Sequence, residues 1–187
     1  MIVYLHGFGS SGNSEKAQAL IDRFGQDNVW NPDLPIDPVD VVNLVKTELN
    51  NRNIKMVDKL VFVGTSLGAF YATYFSLVFD APCVIVNPSV LPYKSLSHGT
   101  YTNHVTKEEF TVSLCNLNEL ERMKHVCDEI YEGPLINLFV AKDDEVLDYN
   151  QMLNYYKHTN STLVTETGGH RFTEHWNKVV DKVAELS

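Results

Sequence analysis

The sequence predicts an α/β fold in which a compact, mostly parallel sheet carries helices on both faces. Short apolar runs alternate along the 187 residues with segments whose apolar residues recur at helical spacing. A hydrophobic fraction of 44% is sufficient for one core, so we expect residues 1–187 to form a single domain. The alternation stops at residues 88–134, which predicts a lid-like insertion.

Each predicted strand is a short apolar run next to turn residues, and the strands lie at residues 2–5, 29–30, 60–63, 84–87, 135–141 and 162–165. The first helix is capped by Asn13 or Ser14, and the second begins with Asp37 as cap and Pro38 in the first turn. Asp148 is the expected cap of a later helix. Further helices are predicted at residues 67–79, 117–130, 149–156 and 174–186.

A glycine-rich turn joins the strand at 60–63 to the helix at 67–79. Residues 64–68 read Gly-Thr-Ser-Leu-Gly, and this strand–turn–helix pattern is typical of the nucleophile elbow of the α/β-hydrolase fold. Glycine suits the two crowded flanking positions of so tight a turn. Ser66 is therefore the candidate nucleophile, and the N–H of Leu67 is a candidate donor to an oxyanion.

A serine nucleophile needs a base, and the base needs an orienting acid, which in this fold follow in the chain order serine, acid, histidine. His170 ends a glycine-rich loop after the last predicted strand and is the best candidate base. Two neighbouring acids follow the strand at 135–141. We favour Asp144, which lies two residues before Val146 as in the usual acid turn, and expect Asp143 to be a solvated turn residue.

The loop after the first strand is the expected source of a second oxyanion donor. Its sequence His6-Gly7-Phe8 lets the backbone turn sharply, so that the N–H of Phe8 faces the site while His6 braces the loop. In the insertion, irregularly spaced aromatic and aliphatic side chains are candidate walls of an acyl pocket. They are Leu91 and Tyr93 as substrate-binding residues, with Tyr101 and Phe110. The alternative is a structural excursion without substrate contact.

Five blocks of the chain resemble the small bacterial YqiA-like esterases of the α/β-hydrolase superfamily. They are residues 4–8, 64–68, 86–93, 144–149 and 168–172. Thr65 stands where that family usually has serine, Ala69 where it usually has glycine, and residues 88–134 match loosely. The resemblance implies hydrolysis of short acyl esters or acyl thioesters.

Several classes of partner are not expected. A net charge of −9, with the acids spread along the chain, argues against nucleic acid or an anionic membrane as a partner. The sequence has no run long enough for a membrane span and no signal-peptide pattern, so a cytoplasmic protein is expected. The three cysteines have no metal-ligand spacing, and we expect neither a metal nor another cofactor.

The sequence therefore predicts a serine carboxylesterase or thioesterase that uses a Ser66-His170-Asp144 triad on a small-molecule substrate. A non-catalytic binding protein with the same fold, an acyltransferase and a C–C bond hydrolase remain alternatives. Neither the natural substrate nor the oligomeric state is predicted.

Overall fold

The computed structural model describes residues 1–52, 59–130 and 135–187, without the side chains of residues 129 and 130. The strands of this part of the chain are β1 (Ile2–Leu5), β2 (Val29–Trp30), β3 (Val61–Thr65), β4 (Cys83–Val86), β5 (Gly99–Thr102), β6 (Glu109–Val112), β7 (Ile136–Ala141) and β8 (Ser161–Thr165). The helices are α1 (Glu15–Phe24), α2 (Pro38–Asn51), α3 (Leu67–Phe79), α4 (Pro92–Ser95), α5 (Leu114–Ile130), α6 (Tyr149–Tyr155) and α7 (Trp176–Leu186).

The main sheet has the strand order β2-β1-β3-β4-β7-β8, and all of its neighbouring strands are parallel. The carboxyl ends of the strands therefore lie at one edge of the sheet. Strand order reverses at β1, which pairs with β2 on one side and with β3 on the other. Open α/β sheets bind their ligands outside such a reversal, so the loops after β1 and β3 mark the expected site.

Helices cover both faces of this sheet, which confirms the predicted fold class. Alternate strand side chains point to opposite faces, and the buried residues accordingly form two clusters. One cluster joins strand residues such as Phe62 and Ile85 to α2, α3, α5 and α6. The other joins strand residues such as Val63 and Val84 to α1 and α7.

The predicted caps are confirmed where the structure describes them. The side chains of Ser14, Asp37 and Asp148 each accept a hydrogen bond from a backbone N–H in the first turn of α1, α2 and α6. Two helix starts differ from the prediction. Helix α5 begins at Leu114, because Ser113 and Asn116 cap each other's backbone N–H groups. The last helix begins at Trp176, after a 3-10 turn at Thr173–His175.

The segment predicted as an insertion holds α4, an unpredicted antiparallel hairpin of β5 and β6, and α5. Residues 131–134, at its expected end, lie outside the described residues. A two-stranded hairpin is marginally stable alone and needs a surface to pack on. That surface is remote in sequence, which is why local patterns did not reveal the hairpin. None of the described helices has the length and apolar character that crossing a membrane requires.

Candidate active site

Ser66 lies in a strained turn between β3 and α3. Its backbone has φ 55° and ψ −119°, which an L-residue rarely adopts. A Cβ on Gly64 would lie 2.2 Å from the carbonyl oxygen of Gly68, and a Cβ on Gly68 would lie 2.0 Å from that of Leu5. Both flanking positions therefore require glycine, and the turn directs the Ser66 hydroxyl away from the sheet edge.

The structure brings Ser66, His170 and Asp144 into one hydrogen-bonded chain. Nε2 of His170 lies 3.0 Å from the Ser66 Oγ, and its Nδ1 lies 2.9 Å from Oδ2 of Asp144. The Asp144 side chain is 0% exposed and that of His170 is 19% exposed. Because a carboxylate only accepts hydrogen bonds, Nδ1 carries the proton and Nε2 is free to accept one from the serine.

Backbone contacts fix all three acids of the turn after β7. Oδ1 of Asp144 accepts hydrogen bonds from the N–H groups of Val146 and Leu147. Asp143 accepts one from the Gly169 N–H at 2.8 Å, and Glu145 accepts one from the His170 N–H at 2.9 Å. Asp143 is exposed but is not merely a solvated turn residue as expected, since it anchors the histidine loop.

Asn87 is a positioning residue that the sequence analysis did not identify. Its side chain is fully buried at the end of β4, and its backbone has φ 43°. Nδ2 donates to the carbonyl oxygens of Gly169 and His170, and Oδ1 accepts from the Ala141 N–H. An Asn-Pro pair after the strand next to the elbow was a usable signal, because asparagine tolerates positive φ better than most residues.

The loop after β1 approaches the nucleophile closely. A Cβ on Gly7 would lie 3.3 Å from the Ser66 Cβ. Among the described residues, no acceptor is bonded to the backbone N–H of Phe8 or of Leu67, the two predicted oxyanion donors. Both N–H groups are therefore available for a ligand.

Polar contacts hold this loop in place. His6 is 6% exposed; its Nδ1–H donates to the Gly7 oxygen and its Nε2 accepts from the Leu34 N–H. Burial lowers the pKa of His6, which favours this neutral form. Farther along, Asp33 accepts from the Ser11 hydroxyl and the Gly12 N–H, and these hydrogen bonds lower its pKa. His6 thus braces the loop, as expected.

The β5–β6 hairpin packs on the same loop. The ring of Phe8 makes edge contacts with Tyr101 at 4.9 Å and with Phe110 at 5.3 Å between centroids. The N–H of His104 donates to the Gly9 oxygen, and Asn103 Nδ2 donates to the Ser10 oxygen. The hairpin therefore covers the residue that carries one predicted oxyanion donor.

Leu91 and Tyr93, the predicted substrate-binding residues, pack against the core. Both are partly buried against the core cluster that contains α3 and α5. Neither lines a cavity described below. The part of the insertion that lines the open cavity with Ser66 is instead the turn of the hairpin, with His104 and Val105.

Two cavities of different character adjoin the elbow. One, of about 420 Å³, is open and contains Ser66 and His170 together with Lys16, His104 and Arg171. The other, of about 50 Å³, lies beside Leu67 and is mostly apolar; its walls include Leu34, Tyr71, Leu96, Val112 and Leu120. The site thus offers a polar, cationic side and a small apolar side.

Two of the three cysteines are too buried to act as competing nucleophiles, and the described part of the chain shows no metal site. Burial raises the pKa of the Cys83 and Cys127 thiols to about 12, so both remain protonated. No group of three or more histidine, cysteine or acidic side chains there could hold a metal ion.

Comparison with known proteins gives a family match over nearly the whole chain. The model of the family described as "Uncharacterised protein family (UPF0227)" matches residues 1–184. The UPF0227 protein of Citrobacter koseri is 22% identical over 174 residues, which cover 92% of this chain and 91% of that protein. The UPF0227 protein YcfP of Escherichia coli O9:H4 (strain HS) is 22% identical over 181 residues, with the same coverage. These matches confirm the resemblance to the YqiA-like family.

Solved structures are similar to the chain in fold. The monoacylglycerol lipase of Paleococcus ferrophilus matches with a TM-score of 0.73 and 14% identity, over 100% of this chain and 94% of that one. Est1E from Butyrivibrio proteoclasticus matches with a TM-score of 0.69 and 12% identity, over 98% and 85%. At these identities the likeness establishes the fold, and the predicted α/β-hydrolase fold is confirmed.

Proposed function

The chain belongs to the UPF0227 family, and from its site we propose that it is a serine hydrolase that cleaves short acyl esters or acyl thioesters. The observation that carries this proposal is the continuous contact from the Ser66 hydroxyl through His170 to the buried Asp144 carboxylate. The lipase named among its structural neighbours gives the proposal additional support.

The proposed reaction has two stages. The Ser66 oxygen attacks the acyl carbon as its proton passes to His170 Nε2, and Asp144 holds the imidazole in the required tautomer. The bond to the leaving oxygen or sulfur then breaks, and His170 returns the proton to that atom. Water, deprotonated by His170, then attacks the acyl carbon. The bond to the Ser66 oxygen breaks, and His170 returns the proton to that oxygen.

Oxyanion stabilisation is assigned to the N–H groups of Phe8 and Leu67. Both lack a protein acceptor among the described residues, and both belong to loops that meet beside Ser66. Fixed donors of this kind contribute most where charge develops in the transition state. The small cavity beside Leu67 is the proposed place for the acyl chain, since its walls are mostly apolar.

A fluorophosphonate probe tests the nucleophile, because it labels activated serines. We expect the wild type to be labelled, Ser66→Ala to be unlabelled, and Ser97→Ala, whose exposed side chain lies outside both cavities, to be labelled like the wild type. Labelling of Ser66→Ala would show that the reactive serine is a residue other than Ser66. Absence of both labelling and ester hydrolysis in the wild type would favour a non-catalytic binding protein. Hydrolysis products, rather than acyl-transfer products, distinguish the hydrolase from an acyltransferase.

A further inference from the structure

Basic side chains are concentrated at the open cavity that contains Ser66. Lys16 from the start of α1, His104 from the hairpin and Arg171 next to the proposed base line it, with Glu15 as the acid among the lining residues. The chain as a whole has a net charge of −9. Cations thus outnumber acids among the residues that line this cavity, whereas acids outnumber cations in the whole chain, and such a local excess attracts a negatively charged ligand.

Lys16 and Arg171 lie beyond direct ion-pair distance of every carboxylate in the described part of the chain, although the charge of Glu15 acts on Lys16. No ion pair to a described carboxylate involves either of them. Lys16 is half-buried, with its Nζ 5.5 Å from the centroid of the Trp176 ring. Burial, together with the charge of Arg171, lowers the pKa of Lys16 to about 8. Two cations at one cavity with a single lining acid, Glu15, are only partly compensated, and a bound anion would stabilise them further.

In the proposed reaction, the leaving group lies on the side of Ser66 that holds His170 and the two cations. His170, which would protonate the leaving atom, lines the same cavity as Lys16 and Arg171. Among the described residues around the small apolar cavity beside Leu67, none is a lysine, an arginine or an acid. The acyl chain and the leaving group are thus separated by the charge of their surroundings.

The leaving-group side is also spacious. A surface groove of about 430 Å³ shares Glu15, Lys16 and Thr173 with the Ser66 cavity and continues over Trp176 and Val180. Lys16 lies at the junction of the two. A leaving group larger than a simple alcohol can therefore extend past Lys16 without meeting the core.

We propose that Lys16 and Arg171 bind an anionic group, a carboxylate or a phosphate, carried by the leaving-group part of the substrate. This inference rests on the proposed hydrolase function. In the reaction, the acyl carbon–oxygen or carbon–sulfur bond breaks, the leaving atom takes the proton from His170, and the anionic group keeps its charge throughout. The two cations select the substrate by its leaving group, whereas the acyl cavity selects it by chain length.

Three butyrate esters with a common aromatic leaving group test the proposal. The anionic substrates are the esters of 4-hydroxybenzoate and of 4-hydroxyphenyl phosphate, and the neutral one is the ester of 4-hydroxybenzamide. Each is measured with the wild type, Lys16→Met, Arg171→Met and the double variant. Lys178→Met, an exposed position outside both cavities, is the charge-matched control.

We expect each cation to contribute roughly tenfold or more to kcat/KM for an anionic ester, the usual scale of a charged hydrogen bond. The ratio of anionic to neutral kcat/KM should fall in each variant and most in the double variant, and stay unchanged in Lys178→Met. Because the intrinsic reactivity of each ester cancels between enzymes, the change in this ratio reports recognition alone. The carboxylate and phosphate arms decide which anion is preferred.

An equal fall in kcat/KM for anionic and neutral esters in the Lys16 and Arg171 variants would overturn the proposed anion site, while the proposed hydrolase function would stand. If the wild type hydrolyses no ester, the proposed function fails, and calorimetry on Ser66→Ala then decides the anion site separately. There, 4-hydroxybenzoate or phenyl phosphate should bind more tightly than 4-hydroxybenzamide, and less tightly once Lys16→Met and Arg171→Met are added. Equal binding of charged and neutral compounds would refute the inference.

Discussion

The Asn87 side chain holds the backbone of His170 in place by a hydrogen bond. Its Nδ2 lies 3.1 Å from the His170 carbonyl oxygen and 2.9 Å from that of Gly169, while its Oδ1 accepts the Ala141 N–H. One buried amide thus joins the ends of β4 and β7 to the histidine loop. The position of His170 therefore depends on a residue outside the proposed triad.

We predict that Asn87→Gly and Asn87→Ala both lower kcat and the melting temperature. Each variant leaves two carbonyl oxygens and one N–H without their buried partner, at about 1–3 kcal/mol for each group that stays unsatisfied. Alanine should be less stable than glycine, because it must also adopt φ 43°. Thermal denaturation and ester kinetics check this, and a wild-type kcat in Asn87→Gly would contradict the positioning role.

The two neighbouring acids should differ sharply in their effect on turnover. Asp144→Asn presents an amide donor to the proton on His170 Nδ1 and should lower kcat by about 10⁴-fold, as in other serine triads. Asp143→Asn retains an oxygen that can accept a hydrogen bond from the Gly169 N–H, so kcat should fall by less than about tenfold. Single-turnover kinetics on an activated ester measure both, and the opposite ranking would assign the acid to Asp143.

The wall of the apolar cavity should set the preferred acyl length. Leu96→Ala widens that cavity, and each added methylene that it admits is worth about 0.8 kcal/mol, roughly fourfold in kcat/KM. Tyr93→Ala, outside the cavity and against the core, should lower the melting temperature and leave the length profile unchanged. A series of esters from acetyl to octanoyl tests both. A change in the preferred acyl length in Tyr93→Ala would show that Tyr93 contacts the substrate.

Acid should destabilise the fold through His6. Burial lowers its pKa in the folded state below the unfolded value of about 6.5. The neutral form of His6 therefore stabilises the folded state at pH values above its unfolded-state pKa. This stability is lost as the pH falls through the folded-state pKa, by at most about 1.4 kcal/mol per pH unit. The difference in unfolding free energy between wild type and His6→Gln should shrink from pH 7.5 to pH 5. A constant difference would show that His6 does not titrate with unfolding.

Local patterns were sufficient for most of the fold and for the candidate triad. Short apolar runs located the six strands of the main sheet, and Ser14, Asp37 and Asp148 marked helix starts, since capping depends on residues within one turn. The elbow was recognisable because its strand, glycine-rich turn and helix are contiguous in the sequence around Ser66, although the crowding at Gly68 comes from Leu5 and His6. Chain order then singled out His170 and Asp144, which the structure brings into contact with each other.

Only the tertiary structure decided which distant residues meet. The parallel register of β4 with β7 sets Asn87 beside Ala141, 54 positions along the chain. Docking of a hairpin on Phe8 put Tyr101 and Phe110 near the site and left Leu91 and Tyr93 against the core. Lys16 and Arg171 share one cavity although they belong to opposite ends of the chain. Such contacts follow from how strands are ordered and helices packed, and side-chain periodicity carries no information about either.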